Sequence, residues 1–205
     1  MGKVRAEPWK CRPRLNSVSP AMYAMVSQSQ TKALFSKDNV PPGGTCLSSF
    51  VLVTNGRRVL VGKMDRPEIW VERFLVGPSF VTNYVGSGKY ILPARHLHWY
   101  ESPFDAARSI VRDQIGLEVP DSKISLADVQ SYASGDVNDE KELHHWDICF
   151  LYRVRVSKSM AAKLRRPEWF SELAFKPLGS LKQEDFTRGH GDVLQTARMP
   201  GHKRN

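Results

Sequence analysis

The chain has 205 residues, 41% of them hydrophobic, which suits one domain of ordinary size with a buried core and leaves little room for a second. No run of 18 apolar residues occurs and no apolar segment follows the first charges, so the composition excludes a membrane span or secretory leader and implies a soluble, cytoplasmic protein. Cys11, Cys46 and Cys149 are odd in number, far apart and without a CxxC pair, which argues against both a disulfide framework and a zinc site.

The net charge of +9 is uneven. Residues 1–45 carry seven Lys/Arg against two acids, a balance of +5, and residues 188–205 carry four against one, a balance of +3. The 142 residues between carry nineteen against eighteen, which is +1. A neutral body with basic ends leaves RNA as a partner for the termini, although no RNA-binding motif is present and solvated tails explain the same charge.

In chain order, residues 1–18 hold two prolines, five basic residues and no periodicity, and read as an irregular arm. The arm's Arg- and Ser-bearing, acid-poor composition also resembles an organellar transit peptide. Ser19-Pro20 offers a cap for a short helix through "AMYAMVSQSQTKALF". "NVPPGG" breaks the chain, and the folded body is expected to start after it. "CLSSFVLVTN" and "RRVLVGKM" flank Asn55-Gly56 and predict a hairpin, and a second strand pair is expected through "RFLVGPSFVTNYV" and "KYILP". "VGSGK" is a turn, since Tyr-Ile-Leu-Pro follows Lys89 where a phosphate loop would lead into a helix.

From Ser102 the period becomes helical, with Phe104, Ala107, Val111 and Ile115 on one stripe and Gly116 as the stop. "ISLADVQSYAS" and "HHWDICFLYRVRV" predict strands around the acidic loop "GDVNDEKEL". A short basic helix or loop, a strand at "FSELAF" and a last helix through "DFTRGHGDVLQTA" complete the pattern. Mixed strands with one central helix and a helix at the end indicate an α+β or α/β sandwich.

Residues 92–117, "LPARHLHWYESPFDAARSIVRDQIGL", resemble the Nudix box, G-x5-E-x7-R-E-U-x-E-E-x-G-U with U aliphatic, after the usual Leu-Pro. Glu101, Gly116 and Leu117 match in register, and "EWFSELAFKPLGSL" resembles the family's closing segment. The resemblance implies an α/β (α+β) Nudix-type α-β-α sandwich with a mixed β-sheet over residues 46–197, between a basic extension at 1–45 and a basic tail at 198–205. It also implies hydrolysis of nucleoside-diphosphate-linked substrates with Mg2+ or Mn2+, with Glu101, Asp113 and Gln114 as catalytic residues.

The departures weigh against that activity. The first glycine is Arg95, the Arg-Glu pair is Ser109-Ile110, and the closing Glu-Glu is Asp113-Gln114. One formal negative charge stands where the family presents three, so any metal is expected to bind weakly and with help from substrate phosphates. Asp113 and the loop carboxylate Glu142 are the metal candidates. Arg95, Arg108, Arg112 and His190 are candidates for holding a nucleotide or another phosphate-bearing molecule, and Arg95, Arg108 and Arg112 are also the cations available to Glu101. Helix geometry sets Asp113 about 100° from Arg112, which keeps the two off one line. Restoring glutamates at 110 and 114 is expected to raise activity if the ground plan is intact. The other reading is a non-catalytic nucleotide- or RNA-associated module on the same scaffold.

Overall fold

The computed structural model describes residues 45–74, 76–98, 101–134, 145–187 and 189–198. The arm, the expected helix after Ser19, residues 199–205 of the basic tail, the acidic loop with Glu142, His144 and Arg188 lie outside these residues.

β1 (Thr45–Asn55) and β2 (Arg58–Met64) form the expected hairpin, with Gly56 at φ 58 in its turn. The expected second strand pair is absent from the described residues. Pro67 and Pro78 instead start two short helices, α1 (Pro67–Glu72) and α2 (Pro78–Tyr84), because a proline's fixed φ suits a first helical turn. Gly86 and Gly88, at φ 75 and 74, make the turn of "VGSGK". β3 (Ala94–His96), α3 (Pro103–Ser109), β4 (Ile124–Ser134), β5 (His145–Arg155), α4 (Lys158–Lys163), β6 (Phe170–Pro177) and α5 (His190–Arg198) follow.

The sheet is six-stranded and mixed, in the order β4-β5-β1-β2-β6, with β3 also paired to β1. β1 runs parallel to β5 and antiparallel to β2 and β3. Side-chain alternation then sorts two cores. Val51, Val53, Tyr152 and Val154 face the α3 side with Ala107, Ile110, Val111 and Ile115. Phe50, Leu52, Cys149 and Leu151 face the α5 side with Val193 and Leu194. Cys149, inside the apolar run "DICFLY", is a core thiol, and burial, with Asp147 and Cys46 beside it, pushes it up to about 12.

Candidate functional site

The loop and helix that carry the box are fastened at both ends. Ser102 caps α3, its Oγ accepting from the Asp105 N–H at 3.1 Å, and Ser49 Oγ donates to the Pro103 carbonyl at 2.8 Å. After Ser109 the helix widens into a single π turn, Ile110–Gln114, and Gly116 leaves it at φ 68. Trp169 Nε1 donates to the Gln114 carbonyl at 2.9 Å, and Trp70 Nε1 donates to the Trp169 carbonyl at 2.8 Å. The widened turn therefore has a clasp from the β6 side.

Glu101 finds its cation in Arg95. Arg95 Nη1 donates to Glu101 Oε2 at 2.7 Å, Nη2 donates to Oε1, and the His98 N–H donates to Oε2 at 3.0 Å. Burial pushes the carboxyl up, but the guanidinium and that N–H outweigh it and hold Glu101 below its ordinary value. The two side chains are 7% and 17% exposed, and Arg95 Nη1 also donates to the His96 carbonyl. Of the two roles the sequence allowed Arg95, cation to Glu101 or ligand for an anion, the structure shows the first.

Asp113 is likewise engaged. Arg112 Nε and Nη2 donate to its two oxygens at 2.7 and 2.8 Å, and Ser109 Oγ donates to Oδ2 at 2.9 Å. These bonds hold its carboxyl below the ordinary value, the Arg112 hydrogen bonds first among the causes. The offset expected between Arg112 and Asp113 along the helix does not keep their side chains apart. An arginine side chain is long enough to reach sideways around a helix, which spacing between Cα atoms does not capture. Arg108, the third arginine, pairs with Asp105 at 2.9 Å and Asp121 at 3.4 Å.

The two remaining box positions point inward. Gln114 is fully buried, its Nε2 donating to the Ala94 carbonyl and its Oε1 accepting from the Ala94 N–H, each at 3.1 Å. The neutral ligand oxygen expected of it faces a strand. Ile110 is buried within the α3-side core. His190 is buried too, its Nδ1 accepting from the Leu92 N–H at 2.9 Å, with the Phe50 ring edge-on at 5.0 Å. Burial holds that imidazole down to about 3, so it is neutral at the pH of a cell and offers a phosphate no charge. The i,i+4 spacing of Ser109 and Asp113 was a signal for their hydrogen bond; nothing in the sequence pointed to the Gln114–Ala94 brace.

A box loop-helix on one face of a mixed sheet, with a closing helix on the other, is the Nudix fold. No protein-family model and no curated protein matches the sequence. Among solved structures, the chain is similar to a bifunctional NMN adenylyltransferase/ADP-ribose pyrophosphatase from Francisella tularensis, complexed with AMP and a Mn ion. The identity is 10% and the TM-score 0.52, over 77% of this chain and 42% of that one. It is also similar to a MutT/Nudix family protein from Listeria innocua (18%, TM-score 0.49, 77% and 92%) and a MutT Nudix hydrolase from Burkholderia pseudomallei (15%, 0.45, 74% and 96%). At such identities the likeness is one of fold.

Proposed function

We propose that this chain is a Nudix-fold protein whose box has become a structural element. Mg2+- or Mn2+-dependent hydrolysis of nucleoside-diphosphate-linked substrates is weak or lost, and the domain binds a nucleotide or similar phosphate compound without turning it over. The observation that carries this reading is the state of Asp113, both of whose oxygens are taken by Arg112 and Ser109. The donor set supports it. Mg2+ asks for an octahedron of oxygens, usually with one or two carboxylates, whereas Glu101 is bound to Arg95, Gln114 to Ala94, and position 110 carries no oxygen. These residues do not fit a divalent cation as they stand. The nucleotide class comes from the AMP held by the similar Francisella protein. The basic ends lie outside the described residues, and RNA is no part of this proposal.

The test is an assay of the full chain on ADP-ribose and other pyrophosphate-linked nucleotides with Mg2+ or Mn2+, beside Asp113→Ala. We expect the two proteins to give the same trace-level rate, and nucleotide binding by calorimetry to survive a chelator. Brisk metal-dependent turnover that Asp113→Ala abolishes would overturn the proposal.

A further inference from the structure

On the sheet face away from the box, three strands bring unlike donors together. The Cys46 thiol, a His96 ring nitrogen and an Asp147 carboxylate oxygen all lie within 4.8 Å of one another. The register explains the convergence. Cys46 is directly paired with Asp147 across β1 and β5, and His96 on β3 is paired with Ser48, two residues along β1 and hence on the face of Cys46. The same alternation sends the neighbouring Arg95 to Glu101 on the opposite face. Cys46 is buried, while His96 and Asp147 are half-buried.

We propose that Cys46, His96 and Asp147 form a site for a divalent transition-metal ion, with Zn2+ the best match. One sulfur, one nitrogen and one oxygen donor suit zinc, whereas Mg2+ and Ca2+ take oxygen alone. Ligands of a tetrahedral zinc stand roughly 3.5 Å apart, so the three atoms need only small rotamer changes to close on an ion. A thiolate and a carboxylate together neutralise its two positive charges, which suits a site next to an apolar core. Three protein ligands leave a fourth position for water or an outside ligand. His96 occupies one of the box's variable positions, and the site uses none of its signature positions (95, 101, 109, 110, 113, 114 and 116), so it stands whether or not the box hydrolyses anything.

The full chain, stripped with a chelator, is titrated with Zn2+ alone against a chromophoric competitor, and with Co2+ alone by absorption. We expect one ion per chain and, with Co2+, the near-ultraviolet charge-transfer band of a thiolate ligand. Cys46→Ser should remove that band, and Asp147→Asn and His96→Gln should each weaken Zn2+ binding at least about tenfold. Cys11→Ser and Asp113→Ala should leave it unchanged. If Cys46→Ser fails to fold, the Asp147→Asn and His96→Gln titrations decide. Absence of stoichiometric binding by the parent chain, undiminished binding in both of those variants, or binding lost with Cys11→Ser would overturn the site.

Discussion

At the scale of single residues, the Arg95–Glu101 pair has the most to lose. Both side chains are largely out of water, so truncating one strands the charge of the other. Arg95→Ala should lower unfolding free energy by about 2 to 3 kcal/mol at neutral pH, read from urea midpoints. Its pH dependence has a definite sign. Glu101 ionises more readily folded than unfolded, so the pair's contribution is full above the ordinary glutamate value of 4.5 and fades as pH falls through the lower folded value. The deficit of Arg95→Ala should therefore shrink toward acid, and a constant deficit from pH 7 to about pH 3 would refute the assignment. Ile110 carries a second prediction, which revises the expectation for restoring the box. A glutamate there would bury an unpaired carboxylate among Val51, Val53 and Val154. Ile110→Glu, alone or with Gln114→Glu, should cost about 3 kcal/mol or more and yield an unfolding-prone protein with no gain in hydrolysis.

At the scale of elements, the box helix owes its end to one backbone conformation. Gly116 sits at φ 68, and a Cβ there would meet nothing within 4 Å, so alanine would pay a purely conformational penalty. Gly116→Ala should destabilise by about 1 kcal/mol in thermal or urea melts, with the hydrogen bond from Trp169 holding the last turn in place. The start and stop of this helix were legible because Ser102, Pro103 and Gly116 act locally. Its π turn was not, since the extra residue is absorbed by packing of Ile110, Val111, Gln114 and Ile115 against the sheet, a tertiary effect. Residues 73–85, expected as a strand, differ for the converse reason. Their apolar run suits a strand or a helix equally, and the fixed φ of Pro78 settles it as the start of α2. Arg95 was legible as one of three cations open to Glu101, but the choice among them and the brace of Gln114 on Ala94 depend on β3 lying beside β1 and on the strand facing the helix.

At the scale of the whole molecule, the sheet divides two faces that should answer differently to metals. A ligand that binds only the folded state raises its stability by RT ln(1 + [L]/Kd), about 2.7 kcal/mol at a hundredfold excess over Kd. On the α3 face the carboxylates already have arginine partners, so Mg2+ or Mn2+ would have to displace Arg112 from Asp113 and recover that loss before binding. On the α5 face the donors of Cys46, His96 and Asp147 come from positions 46, 96 and 147, a spread that no local spacing rule detects, yet strand pairing makes them neighbours. A melting curve in chelator should thus coincide with one in Mg2+ or Mn2+, while Zn2+ shifts it upward in proportion to the logarithm of its free concentration. Asp147→Asn should cut the zinc shift to about half or less at a hundredfold excess and leave the magnesium curve where it was. A magnesium-induced rise in Tm that vanishes with Asp113→Ala would instead locate the metal at the box and reverse the roles assigned to the two faces.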